Sequence, residues 1–118
     1  MTELKNELLT NKYTHVFHED PCEMEHGAPH HFIVTDKSGD VLSKVDFQCG
    51  PIHEAGVNGC CNEDLIAMVI ARLVHFQDSP YACRENHEAI TKLEEALLWL
   101  RKRTMRREMR GVEGTHIV

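Results

Sequence analysis

Apolar residues recur with a helical period through the second half of the chain and with a strand period over a short stretch of the first. From Asn62, Leu65, Ile66, Met68, Val69, Ile70, Leu73, Val74 and Phe76 follow one another closely enough to cover most of a helix's circumference. Such a helix needs burial from more than one side. Asn62 is suited to cap it, and Glu63 and Asp64 fall where the helix dipole favours acids. Asp78-Ser79-Pro80 ends it. A second helix is predicted over about 82–110, where Ala89, Leu93, Ala96 and Leu100 recur at spacings of four, three and four, with Ile90 and Leu97 widening the stripe. Its length is roughly 40 Å, and Gly111 is a plausible stop.

The strand signal lies earlier. His31–Thr35 is a β-rich run, Asp36–Asp40 reads as a turn, and Val41–Gln48 alternates, which predicts a hairpin over about 31–48. Tyr13–His18 alternates loosely and reads as a further strand. Residues 1–12 carry Leu4, Leu8 and Leu9 at helical spacing and are read as a short amphipathic helix. Glu19–Pro29 and Cys49–Cys61, rich in proline and glycine, read as connections. The expected fold is α+β: a small antiparallel β region followed by a two-helix hairpin at about 62–78 and 82–110. One domain spans residues 1–118, with the β region over 1–55, the hairpin over 56–111 and a short tail over 112–118. A chain of 118 residues buries a modest core, and the apolar first helix needs cover, so a homo-oligomer is expected.

Charge changes this picture at one place. The net charge is −6, yet Arg101–Arg110 holds six basic residues and one acid, a local +5 that leaves −11 for the rest. An acidic body with one basic segment suits a compact anionic ligand better than a long duplex. No run of apolar residues reaches the roughly 18–20 needed for a membrane span. The first residues have no apolar signal core, so the cytoplasm is the expected compartment. The five cysteines are odd in number and irregularly spaced, and are read as free thiols.

Three places could carry chemistry. The first is the basic helix end. Counting on from Ala96 and Leu100, Arg103 and Arg107 continue the apolar stripe, and guanidinium groups bind phosphate oxygens in pairs. The plain alternative is cations complementing a helix C-terminus. The second is the turn Phe76–Asn86, which gathers aromatic, cationic and amide groups suited to a base, a phosphate and a sugar edge, or equally to a core cap and surface groups. The third is His18-x3-Cys22-x3-His26-x3-His30 with His31 beside it: metal-capable side chains in a loop-like segment without tight ligand pairs. Its role stays open, and neither a metal nor a cofactor is expected. Nucleotide-loop, zinc-protease and serine-hydrolase motifs are missing, and no catalytic residue is assigned.

The stretches Gly56-Val-Asn-Gly-Cys-Cys-Asn-Glu-Asp-Leu-Ile66, Phe76-Gln-x-x-Pro-Tyr-Ala-Cys-Arg-Glu-Asn86, Leu93-Glu-Glu-Ala-Leu-x-Trp-Leu100 and Arg110-Gly-Val-Glu-Gly-Thr-His116 resemble phage anti-defence sponge proteins. More narrowly, they resemble the Thoeris anti-defence sponges, which share a helical-hairpin domain with the anti-CBASS sponges. The resemblance covers about residues 30–118. It implies a non-enzymatic protein acting in the cytoplasm of a bacterial host. Such a protein sequesters cyclic ADP-ribose isomers, and in some members cyclic di- and trinucleotides, and assembles through its helices as a dimer or hexamer. By resemblance, Phe76 would stack on adenine, Asn86 would hydrogen-bond base or ribose, and Arg103 and Arg107 would meet the pyrophosphate, with Arg84 as a further contact. Because the turn and the basic end are a helix length apart, one ligand would reach both only between two subunits. The alternative is a small nucleic-acid- or protein-binding regulatory module using the basic helix end.

Overall fold

The computed structural model describes residues 1–118. They fall into two compact units, Met1–Cys60 and Cys61–Val118.

The first unit is a four-stranded antiparallel sheet in sequential order, with β1 Thr2–Glu3, β2 Thr14–His18, β3 His31–Asp36 and β4 Val41–Asp46. The expected hairpin is its second half. Asp36 closes the turn by accepting the N–H groups of Ser38 and Asp40 on Oδ1 at 2.9 and 3.0 Å, and Gly39 takes a φ of 90° that a side chain would oppose. Val16, Phe32, Val34 and Val45 are matched across the ladders, and Phe47 meets Phe32 edge-on at 5.5 Å. The expected N-terminal helix is not formed. Thr2 and Glu3 pair with His18 and Phe17, and the Leu4 N–H continues the ladder to the Val16 carbonyl. Leu8 is 91% exposed and Leu9 42%, whereas Leu4 is half-buried as the ladder continues, so the helical spacing finds no shared apolar surface and the ladder wins.

The connection after β4 is more ordered than its glycines suggest. It contains a single helical turn, α1, at Ile52–Ala55. Phe47 and Cys60 form a parallel bridge, and a side chain at Gly59 would collide with the Phe47 backbone at 2.4 Å. Asn58 and Gln48 hold this loop through their amides. Asn58 bonds both the N–H and the carbonyl of Cys49, and Gln48 donates to the carbonyls of Gly50 and Gly56.

The second unit is a helical hairpin, α2 Asn62–Gln77 and α3 Arg84–Met109. The cap of α2 is Cys61, one residue before the expected Asn62, because Asp64 reaches back to accept the Cys61 N–H at 2.8 Å. Leu65, Ile66, Ile70 and Leu73 of α2, and Ala89, Ile90, Leu93, Ala96, Leu97 and Leu100 of α3, are the half-buried aliphatic positions. The opposite faces stay in solvent: Met68 is 65% exposed, Val69 47%, Leu98 71% and Trp99 61%. No apolar side chain anywhere in the chain is fully buried. The accessible surface is 8914 Å², whereas two separate compact bodies sharing the mass of 13.5 kDa would expose together about 7,800 Å². No helix is long and apolar enough to cross a membrane.

Candidate functional site

The hairpin carries polar and aromatic groups at both of its ends. At the turn, both amide atoms of Gln77 are used: Nε2 donates to the Cys83 carbonyl and Oε1 accepts the Cys83 N–H, each at 3.0 Å. The Ser79 hydroxyl donates to the Phe76 carbonyl at 2.6 Å and accepts the Tyr81 N–H at 3.1 Å. These bonds fix a six-residue connection that would otherwise be free to fold in many ways. Within it, Phe76 is half-buried and meets Tyr81 edge-on, with ring centroids 6.3 Å apart. The Arg72 guanidinium lies 5.1 Å from the Phe76 centroid. Asn86 is half-buried, and its amide reaches the Tyr81 carbonyl only at 3.5 Å, the long limit of a hydrogen bond. Arg84 opens α3 and is exposed. Phe76, Arg84 and Asn86 therefore belong to one turn, joined there by Arg72 and Tyr81. Tyr81 is 74% exposed, which leaves a ring free to stack.

At the other end of α3, the two expected arginines do different things. Arg103 is exposed and lines a groove of about 230 Å³ with Trp99, Lys102 and Arg106. The Lys102 ammonium lies 5.0 Å from the Trp99 centroid. Arg107 instead occupies the next position of the half-buried stripe, after Leu100 and Thr104. Its Nη2 donates to the carbonyls of Val112 at 3.1 Å and Thr115 at 3.0 Å, so it folds the C-terminal tail back onto the helix. Arg110 does the same to the Val118 carbonyl at 2.7 Å. The continuous arginine stripe read from spacing thus divides into Arg103 beside Trp99 and Arg107 under the tail. About 25 Å of helix separates Asn86 from Arg103, by the rise per residue. A compact ligand cannot bridge that distance within one hairpin.

Spacing alone assigns no role to Arg72, Tyr81 or Trp99. Trp99 was the most legible of them, since Lys102, Arg103 and Arg106 lie three, four and seven positions on, along one helix face.

In the first unit, the His18/Cys22/His26/His30 spacing brings together only the His26 and His30 rings, which meet edge-on with centroids 6.3 Å apart. His18 Nδ1 bonds the Glu19 carbonyl at 2.7 Å, and its ring packs edge-on to Phe32. His30 Nε2 bonds the Glu25 carbonyl at 2.6 Å, and Cys22 is exposed. Only His26 joins a metal-capable cluster, with Glu25 and Cys49. Burial raises the Cys49 thiol above the usual cysteine value, and its bond to Glu25 at 3.4 Å adds to the effect. Glu19 is the one buried acid. Burial pushes its carboxyl up, but the backbone N–H groups of His30 and His31, at 3.0 and 3.2 Å, outweigh this and hold it below the usual range. Glu19 thereby fixes the entry to β3.

Comparison with known proteins gives two findings. The family described as the Acb2/Tad1 hairpin domain matches residues 40–105. A protein called "Thoeris anti-defense 1", from Bacillus phage SBSphiJ7, is 51% identical over 140 aligned positions, spanning 98% of this chain and 99% of the relative.

Proposed function

The chain belongs to the Acb2/Tad1 hairpin family, and from that premise we propose that it is a non-enzymatic sponge for cyclic ADP-ribose isomers. It binds such messengers inside the infected bacterial cell and holds them away from their receptors. The observation that carries this reading is the 51% identity, over nearly both whole chains, to a relative named for blocking the Thoeris defence.

The hairpin chemistry supports it. A cyclic ADP-ribose isomer presents an adenine, two riboses and a pyrophosphate. Phe76, with Tyr81 beside it, offers the stacking surface, Asn86 the amide for base or ribose, and Arg103, Arg107 and Arg84 the donors for phosphate. Stacking contributes about 1–3 kcal/mol and each charge-assisted hydrogen bond about 1.5–3 kcal/mol. One stack and a few such bonds reach the roughly −8 kcal/mol of micromolar binding after the cost of association. No general acid or base enters this account, because sequestration requires none.

The site is shared between subunits of a homo-oligomer, a dimer or a hexamer, with the turn of one hairpin meeting the basic end of another. Three observations favour assembly: the exposed apolar faces of α2 and α3, the lack of a fully buried apolar side chain, and the 25 Å between the two halves of the site. Titration calorimetry with cyclic ADP-ribose isomers tests the function. Heat of binding, followed by recovery of intact ligand from the heated complex, supports it. A conversion product in the recovered ligand, or no heat with any cyclic nucleotide, refutes it.

A second reading concerns the exposed Trp99 groove. An aromatic ring among Lys102, Arg103 and Arg106 suits a cyclic oligonucleotide, or a short single strand bound by a regulatory module. Binding of linear oligonucleotides with a steep salt dependence would favour the module over the sponge.

A further inference from the structure

The first unit contains a cluster that the messenger-binding role does not use. Glu25, His26 and Cys49 each offer one ligand atom, and those atoms lie within 4.8 Å of one another. Cys49 Sγ is 3.4 Å from Glu25 Oε2. That separation is close to the spacing of two donors around a tetrahedral ion with metal–ligand bonds of about 2.0–2.3 Å. A side chain at Gly50 would lie 3.4 Å from His26 Nε2, so the imidazole nitrogen sits over the backbone immediately after Cys49.

We propose that Glu25, His26 and Cys49 bind one zinc-type divalent cation, which ties the Glu25–Ala28 turn to the segment at Cys49–Gly50. Both segments are held in place before any ion arrives. The Glu25 carbonyl is bonded by the His30 ring at 2.6 Å, and Glu19 fixes the His30 backbone in turn. On the other side, Asn58 bonds the Cys49 N–H at 2.8 Å and its carbonyl at 2.7 Å, and Gln48 bonds Gly50. A site whose supporting backbone is already fixed binds with little ordering cost. His26 sits at a φ of 53° in the Glu25–Ala28 turn, a left-handed position at which histidine, like asparagine and aspartate, is enriched.

The donor set selects the ion. Thiolate sulfur and imidazole nitrogen favour zinc, whereas magnesium and calcium take oxygen ligands. On binding, the Cys49 thiol releases its proton to solvent, and the thiolate together with the Glu25 carboxylate balances the two positive charges. Three protein ligands leave a fourth position for water. Exposure of Glu25 and His26 keeps the site open to exchange.

This inference is independent of messenger binding. The experiment uses the full chain, reduced, stripped with chelator and carrying no histidine tag. Titration calorimetry with zinc chloride should give one ion per chain, with a rise in melting temperature. Cobalt(II) should give a thiolate-to-metal charge-transfer absorption. Cys49→Ser should abolish that absorption, and His26→Gln and Glu25→Gln should weaken zinc by about tenfold or more. Glu25 and His26 are exposed, so these two variants keep the far-ultraviolet circular dichroism of the parent. Absence of zinc binding overturns the proposal. So does unchanged zinc affinity in His26→Gln and Glu25→Gln, which would place the ion at another pair such as His15 with Glu3 or His31 with Asp46.

Discussion

Met68→Asp probes whether the exposed face of the hairpin is an assembly surface. Met68 leaves 65% of its surface in solvent, on the side of α2 away from the stripe formed by Leu65, Ile66, Ile70 and Leu73. Complete burial of such a side chain is worth about 1.5–3 kcal/mol, so covering the exposed share contributes about 1–2 kcal/mol. In a two-fold contact each interface holds two copies, and the loss doubles to about 2–4 kcal/mol. That weakens association by about 30- to 700-fold before the cost of desolvating the new carboxylate is added. Sedimentation velocity over a concentration series reads this directly. The parent should sediment as an oligomer, and Met68→Asp should shift toward monomer at the same concentration. The helical content of the hairpin itself should survive at high concentration, since Met68 contributes little to intrachain packing. A parent that stays monomeric throughout the series, or a variant that assembles as well as the parent, would refute the reasoning.

Other perturbations separate binding from folding. Phe76→Ala removes the stacking ring and should weaken a cyclic ADP-ribose isomer by about 5- to 150-fold in calorimetry, the equivalent of about 1–3 kcal/mol. Arg103→Ala should weaken ligand binding while leaving hydrogen exchange of the tail unchanged, because its side chain is exposed in the Trp99 groove. Arg107→Ala should weaken binding and also speed exchange in residues 112–115, whose carbonyls at Val112 and Thr115 it holds. Glu19 should govern part of the acid limb of stability. Its carboxyl is lowered in the folded state, so its contribution is present above the ordinary glutamate range and is lost as pH falls through the lowered value. Denaturant melts of Glu19→Gln should therefore show a smaller loss of stability on acidification than the parent, and an equal loss would reject that role.

The long helices were legible because their signals are local and redundant. Stripe, acidic first turn and proline stop all agree, and the hairpin expected at 62–78 and 82–110 is found at Asn62–Gln77 and Arg84–Met109. The β-hairpin was legible for the same reason, with its turn chemistry at Asp36–Asp40. The first strand was not, since two residues carry no period and Thr2–Glu3 is defined by pairing with residues 17 and 18. Spacing placed Arg103 and Arg107 at one end of α3, but it says nothing of where a long side chain folds. The Val112 and Thr115 carbonyls draw Arg107 inward, whereas Arg103 stays exposed on the face that carries Trp99. The grouping of Glu25, His26 and Cys49 was not legible for a related reason. Spacings of four within residues 18–30 single out only His26 of the three, because Cys49 arrives from the far end of the sheet, across β3 and β4. Contacts of that range are set by topology.

The central claim is that one messenger is held between two hairpins. Mixing two variants tests it most directly. Phe76→Ala and Arg103→Ala chains, each impaired alone, are combined, dissociated, reassembled and titrated with a cyclic ADP-ribose isomer. In mixed pairs the intact turn of one chain meets the intact basic end of the other. With two-fold pairing, about a quarter of all sites should regain parental affinity. If the mixture binds no better than the separate variants, the two halves of the site lie within one subunit and the account is wrong.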